Sequence, residues 1–387
     1  MENIFLLNKI AKVGLDKLDP AAYNISDDAQ AMPNPTGIMV RSAAMHDMTF
    51  GDNLLAIARA GAGVNNIPVE DCAKRGIVVF NTPGANANGV KELAICALML
   101  ASRDIVGGIM WANTLTEDVA KSVEKGKSKF AGVEIKGKKL GVVGLGAIGG
   151  MVANTAIKLG MKVVGCDPFL SVSAAWNLDH HVERGLSYDE LYKTCDYITL
   201  HVPATKDTKG MINAETIAQM KDGVRIINLS RADLVNAADL RAALESGKVA
   251  SYVTDFPTEE ILGAPNVVAI PHLGASTEES EDNCAVMAAI QLDDYIANGN
   301  ITNSVNYPSV SMARSGAARI CMLHENIPNV LSQITSAISG TGANIENMTN
   351  KSRGEFAYTL VDVCSPVSDE TVAKITSIGG IIKVRVI

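Results

Sequence analysis

The sequence predicts an α/β protein: a doubly wound parallel sheet, a smaller flavodoxin-like parallel sheet, and an α+β ferredoxin-like domain at the C-terminal end. Three observations carry this expectation. Short β-branched runs alternate with helical patterns up to residue 298, at spacings suited to right-handed crossovers. A Gly-x-Gly-x-x-Gly run at 144–149 lies between a strand pattern and a helix pattern. Beyond residue 317 the order becomes strand, helix, strand, strand, helix, strand, the split βαβ plan. At 387 residues the chain exceeds what one ordinary core accommodates.

Taken in order, residues 3–8, 37–42, 54–60 and 77–81 read as strands, three of them closing in a Gly, Ser or Asn turn. Residues 92–103 form a nearly uninterrupted apolar helix, too hydrophobic for a solvent face and expected to be buried between domains or subunits. A second strand series follows at 140–144, 162–166, 197–202, 224–229, 249–254 and 267–270, and gives the doubly wound sheet. The amphipathic run 278–298 is a helix that returns the chain to the first domain. Residues 307–316 are small, polar and Pro-bearing, and read as a linker. The domains are therefore expected at 1–90 with 276–306, at 91–275, and at 317–387.

Composition narrows the function. A net charge of −8 argues against general nucleic-acid or acidic-membrane binding, and leaves room for an anionic ligand only where arginines converge. No apolar stretch reaches the length of a membrane span and the start lacks a signal-like pattern, so a cytoplasmic protein is expected. The seven cysteines are scattered without a Cys-x-x-Cys pair. They read as reduced, buried small hydrophobes, with no metal site expected.

Gly144 permits a tight turn, Gly146 lets a pyrophosphate approach the backbone, and Gly149 lets the following helix pack on its strand. Ala147 and Ile148 complete the loop, whose helix N-terminus presents free N–H groups to phosphate. Asp167, followed by Pro168, ends the next strand near the spacing at which a carboxylate meets the adenosine ribose, which favours NAD over NADP; an Asp capping a turn before proline is the alternative. Arg231, Glu259 and His272 follow successive strand ends. An arginine holds a carboxylate through paired N–H bonds, a histidine moves a proton near neutral pH, and a carboxylate behind it fixes its tautomer. From periodicity alone a surface ion pair, a solvated loop charge and a packed turn residue fit these three equally well.

Gly144–Gly149, Asn228–Arg231 and Pro271–Thr277, with Arg59–Asn66 and Gly76–Gly84, together resemble the D-isomer-specific 2-hydroxyacid dehydrogenase family. Five motifs occur in order, and the resemblance runs over nearly all of residues 1–306. It implies hydride transfer from a D-2-hydroxy acid to NAD, with Arg231, Glu259 and His272 as catalytic residues. The other cofactor candidates are His201, Val202, Pro203, Thr208, Leu229, Ser230 and Gly274. By the same resemblance Arg41 and Arg59 bind the phosphate or carboxylate of the substrate, in company with Ser42 and Asn86. Lys91 and Lys129 are further cationic candidates, and the N–H groups around Ala62, Gly63 and Val64 offer a carboxylate cradle. The chain departs from the family pattern at Ala147, where many relatives carry Arg. It departs again at Thr254, where relatives carry an Asp that contacts the nicotinamide amide, while Asp255 lies one place later. Neighbouring strand residues face opposite ways, so either the strand end bulges or Thr254 takes the contact.

Residues 317–387 resemble an ACT domain. Joined to this dehydrogenase pattern and to Arg41, that implies 3-phosphoglycerate as substrate, oxidised to 3-phosphohydroxypyruvate. It also implies L-serine as a candidate effector at His324, Asn326 and Asn344, in a homodimer or homotetramer, since such sites form between two chains. Helix capping by Asn326 and a turn at Asn344 are the alternatives. Two rival functions stay open: a dehydrogenase of another 2-hydroxy acid, such as glycerate, lactate or a sugar-acid phosphate, and an NAD-sensing protein without turnover.

Overall fold

All 387 residues are described by the computed structural model, which divides into two units, Met1–Asn86 with Glu281–Ile387, and Ala87–Ser280. In the first unit β1 (Glu2–Leu6), β2 (Tyr23–Ser26), β3 (Gly37–Val40), β4 (Ala56–Arg59) and β5 (Val78–Phe80) form an all-parallel sheet in the order β2-β1-β3-β4-β5. This is the flavodoxin-like order, whose topological switch point lies between β1 and β3. Strands β3 to β5 are buried on both faces, which explains why they read as continuous apolar runs. One face packs on the helix Glu278–Asn298 through Cys284, Ala285, Ala288, Leu292, Tyr295 and Ile296, at helical spacing.

The second unit holds β6 (Lys139–Val143), β7 (Lys162–Cys166), β8 (Glu183–Arg184), β9 (Tyr197–Leu200), β10 (Val224–Asn228), β11 (Val249–Thr254) and β12 (Val267–Ala269). Their order is β12-β11-β10-β9-β6-β7-β8, all parallel, with the switch point between β6 and β9. The apolar helix Ala87–Ser102 buries Ala94, Ala97, Leu98 and Ala101 against Val142, Ile227 and Val253 of this sheet. No single helix is long and apolar enough to cross a membrane.

Back in the first unit, β13 (Ala318–Glu325), β14 (Ile345–Arg353), β15 (Phe356–Val363) and β16 (Ile381–Val386) form an antiparallel sheet in the order β14-β15-β13-β16, the ferredoxin-like arrangement. One face carries Ile320, Met322, Val361 and Val363 under the helices Val330–Ser339 and Asp369–Thr376. The other face, with Cys321, Leu323, Tyr358 and Leu360, belongs to the same core as Tyr295, Ile301 and Tyr307.

The expected linker at 307–316 is corrected by this packing. Tyr307 and Val310 are wholly buried, Val310 exchanges backbone bonds with Ile301, and the Tyr307 hydroxyl donates to the Ala73 carbonyl at 2.6 Å. Its second part, 313–316, is exposed throughout. Strands β2 and β8 were not expected from the sequence; both are short edge strands without a β-branched run.

Candidate active site

Every candidate of the second unit lies just beyond the carboxyl end of a strand, where ligands bind in open α/β sheets. The three loop glycines do three different things. Gly144 adopts φ +87°, and a Cβ there would meet the His201 carbonyl oxygen at 2.6 Å, across the switch point. Gly149 lies so close that a Cβ would stand 1.9 Å from the Gly144 carbonyl oxygen. Gly146 instead faces open space, where an added Cβ would meet nothing within 4 Å, and it precedes the helix Ala147–Lys158 without a side-chain cap. The first N–H groups of that helix are therefore free for an anion.

Asp167 is committed to this loop. One carboxylate oxygen accepts from the Leu145 N–H at 2.9 Å and the other from Phe169 N–H at 2.8 Å, while Pro168 is exposed beside it. The side chain thus fixes the glycine loop while each oxygen keeps a lone pair for another donor. Beyond β9, His201 Nε2 pairs with Thr199 Oγ1 at 2.9 Å and Nδ1 is enclosed without a partner. Burial pushes its imidazole down to about 4, so it packs under the loop as a neutral ring. The Thr208 hydroxyl donates to the Pro203 carbonyl at 2.5 Å and closes the turn that follows Val202. Ser230, after the buried Leu229, donates to the Leu200 carbonyl at 2.7 Å and ties the ends of β9 and β10 together.

Arg231, Phe256 and His272 form one stack. The Arg231 guanidinium lies 5.6 Å from the centre of the Phe256 ring, and the His272 ring centre lies 4.4 Å from the same ring. Arg231 and His272 are exposed, and the Arg231 backbone carbonyl is held by Asn228 Nδ2 at 2.8 Å. Phe256 was not foreseen as a site residue, although its place two residues after the end of β11 and three before Glu259 was visible in the sequence.

The expected partnership of Glu259 with His272 is not present. Glu259 is exposed and makes no ion pair with the imidazole, whose ring lies against Phe256. The carboxylate whose field does reach His272 and Arg231 is Asp255. It is 1% exposed, and neither of its oxygens completes a hydrogen bond. Burial pushes its carboxyl above the ordinary range, against the opposing pull of His272, the Gly274 amide and Arg231. Its oxygen lies 3.5 Å from where a Cβ on Gly274 would stand, beside Val90. Thr254 faces the other way. It is wholly buried, and its hydroxyl accepts from the Phe256 N–H at 3.0 Å. The β10–β11–β12 register runs through Thr254 without a bulge.

In the first unit, Arg41 follows β3 at the switch point. A single oxygen of Asn8, just beyond β1, accepts from the N–H groups of Arg41, Ser42 and Ala43 at 3.1, 3.1 and 3.0 Å. The Arg41 guanidinium meets Glu281 at 2.6 Å. Arg59 is turned inward, with Nε donating to the Arg41 carbonyl at 3.0 Å and Nη1 to the Gly63 carbonyl. It thereby shapes the 61–64 loop, in which the N–H groups of Ala62, Gly63 and Val64 donate to no acceptor in the chain. Asn86 is half-buried. Lys91 and Lys129 belong to the second unit, Lys91 beside Glu92 at 3.5 Å and Lys129 exposed.

In the C-terminal sheet His324 is enclosed, contrary to the expectation of an effector ligand. Its Nδ1–H donates to the Glu325 carbonyl and its Nε2 accepts from Thr359, both at 2.8 Å, and Thr359 accepts from Asn350. Asn326 donates to the Gly354 carbonyl and does not cap the following helix. Asn344 is exposed next to Ile345, which pairs with Val363, whereas His324 pairs with Ala357. Six residues of β15 separate the two, roughly 20 Å, so one chain does not bring them together.

Residues 104–274 match the family pattern "D-isomer specific 2-hydroxyacid dehydrogenase, NAD binding domain". The chain is 36% identical over 293 residues to D-3-phosphoglycerate dehydrogenase of Pongo abelii, covering 72% of this chain and 52% of that one. It is 32% identical over 412 aligned residues to a putative D-3-phosphoglycerate dehydrogenase of Schizosaccharomyces pombe, covering 95% and 84%. A crystal structure of NAD+-bound 3-phosphoglycerate dehydrogenase from Entamoeba histolytica superposes with a TM-score of 0.62 at 28% identity, over 79% of this chain and 98% of that one. The chain belongs to the D-isomer specific 2-hydroxyacid dehydrogenase family and carries its NAD-binding domain. It spans about half the length of the mammalian relatives that it matches.

Proposed function

We propose that the protein is an NAD-dependent dehydrogenase that oxidises D-3-phosphoglycerate to 3-phosphohydroxypyruvate. The observation that carries the redox part is the strand-end constellation of the second unit: an open Gly146 at a free helix N-terminus, with Arg231 and His272 stacked on Phe256. Bound NAD supplies the hydride acceptor. His272, exposed at the strand end, takes the C2 hydroxyl proton on an imidazole nitrogen, and Arg231 holds the substrate carboxylate through its forked N–H groups. Glu259 is assigned the counter-charge to the imidazolium so formed, since a charged ring attracts a carboxylate that a neutral ring does not. Asp255 would accept from the carboxamide N–H groups of the nicotinamide, since its orphaned oxygens fit such a donor, whereas the Thr254 hydroxyl already accepts from the Phe256 N–H.

Arg41 at the first unit's switch point, with the open amides of Ala62, Gly63 and Val64, supports a doubly anionic substrate. The names of the relatives point to 3-phosphoglycerate among such acids. The C-terminal sheet is assigned an ACT-type role, with L-serine bound through Asn326 and Asn344 of two chains. An oligomer is supported by the exposed apolar helix Ile105–Ala112, which leaves Ile109 and Met110 largely in solvent. The test is NADH formation by the purified chain with 3-phosphoglycerate, D-glycerate and D-lactate, each with and without L-serine. Turnover selective for the phosphorylated acid is expected, with a His272→Ala variant reduced at least about a hundredfold; NAD binding without turnover on any of them would reject the enzyme reading.

A further inference from the structure

We infer that Glu281 sets the charge selectivity of the Arg41 anion site, as a built-in counter-ion that an incoming phosphate monoester must displace. The inference rests on the reading that Arg41 takes the substrate's phosphate. Both residues belong to the first unit, so their geometry is internal to one body. Arg41 is placed firmly: three successive N–H groups, its own included, converge on one Asn8 oxygen at the β1/β3 switch point. Its guanidinium is nonetheless not free, since one Nη–H donates to the Glu281 carboxylate at 2.6 Å. The two side chains are 42% and 43% exposed, so the pair is open to solvent and weak enough for another anion to break.

The surroundings show that this is a charge cluster and not a chance surface pair. Cys284, buried less than one helical turn beyond Glu281, feels the fields of Arg59, Arg41 and Glu281 together. Arg59 donates to the Arg41 and Gly63 carbonyls and so braces the loop around Arg41, while Glu281 is the carboxylate paired with the Arg41 guanidinium. A dianionic phosphate approaching Arg41 is attracted by the arginine and repelled by Glu281, and the repulsion doubles with the second charge of the ligand. An uncharged hydroxymethyl group at the same place meets neither force. Glu281 therefore tempers affinity for phosphate-bearing ligands, holds Arg41 extended toward the switch point between turnovers, and speeds release of a phosphorylated product.

The experiment compares wild type, Glu281→Gln, Arg41→Ala and the double variant as full-length chains. It measures KM and kcat for 3-phosphoglycerate and for D-glycerate, and calorimetric binding of inorganic phosphate, at low and at high ionic strength. Glu281→Gln is expected to lower KM for 3-phosphoglycerate and the phosphate dissociation constant by about three- to tenfold at low salt, less at high salt, and to leave D-glycerate unchanged. In the Arg41→Ala background the same substitution is expected to have much less effect. If Arg41→Ala weakens 3-phosphoglycerate but Glu281→Gln does not strengthen it, or strengthens both acids alike, the role of Glu281 is overturned while that of Arg41 stands. If Arg41→Ala leaves 3-phosphoglycerate unaffected, the reading of Arg41 itself fails and the inference falls with it.

Discussion

A buried carboxylate that completes no hydrogen bond destabilises the fold that contains it, and Asp255 is such a group. Because its carboxyl is raised in the folded chain, the native state binds the proton more tightly than the unfolded chain does. Stability without cofactor is therefore lost as pH rises from the unfolded value, near 3.8, through the folded value, and the penalty persists above it. Asp255→Asn removes that titration while keeping the shape. The cofactor-free variant is expected to melt higher than wild type at pH 7 and to lose this advantage near pH 4. Its NADH dissociation constant is expected to weaken about fivefold, since a neutral acceptor replaces a charged one. Thermal melting with and without NADH checks both directions at once, and a variant that melts lower without cofactor would contradict the assignment. The sequence brought attention to the Thr254–Asp255 step but left open which of the two was available. The Thr254 hydroxyl accepts from the Phe256 amide while the Asp255 oxygens complete no hydrogen bond, and neither fact is written in residue types.

At the scale of elements, the β6 loop and the helix after it separate two kinds of glycine. Gly146→Ala adds a methyl group into open space at φ −65°, so the folded chain tolerates it, but the methyl occupies ground that a pyrophosphate must approach. Its denaturation midpoint is expected to stay near wild type while NADH affinity falls at least about tenfold. Gly149→Ala drives a methyl carbon to 1.9 Å from the Gly144 carbonyl oxygen, so strand and helix must separate, and a loss of about 1–3 kcal/mol in stability is expected by chemical denaturation. Such motifs are legible because turn, close approach and helix packing are all local to six residues. The strands β7, β11, β15 and β16 and the helix 278–298 were legible for a similar reason, each being a periodic run with clear ends. What stayed hidden depends on tertiary contact. Tyr307 looks like linker until Ala73 receives its hydroxyl, His324 looks accessible until Thr359 and Glu325 enclose it, and Phe256 looks like one more apolar residue until Arg231 and His272 gather on its ring.

Over the whole molecule, the first unit is made from both ends of the chain, joined by apolar packing and by hydrogen bonds such as Lys383 to the Leu54 carbonyl at 2.9 Å, while the C-terminal sheet is held within itself by a buried ion pair. Arg319 and Asp362 face each other across β13 and β15 with no exposure at all. The guanidinium donates to both carboxylate oxygens at 2.6 and 2.8 Å, and its remaining Nη–H reaches the Asn298 carbonyl at the end of the long helix. Ser315 supplies a backbone and a hydroxyl donor to the same carboxylate, which tethers the exposed chain before β13. Each guanidinium nitrogen and each carboxylate oxygen is thus bonded, and the Asp362 carboxyl is held below its ordinary range by Arg319 and Ser315 in spite of burial. Removing one partner leaves the other charged and buried, a loss of about 3–5 kcal/mol, whereas replacing both with apolar residues of similar volume restores much of it. Calorimetry on the cofactor-free chain should show two transitions, one for each unit. Asp362→Leu is expected to lower one of them sharply and leave the other in place, with Arg319→Met added on top recovering most of the shift. Because Cys321, Leu323, Tyr358 and Leu360 share a core with Tyr295 and Ile301, the C-terminal sheet should melt together with the N-terminal sheet in that same transition. A third transition, with the C-terminal sheet lost before the rest of its unit, would show that the shared core does not bind the two ends of the chain into one cooperative body.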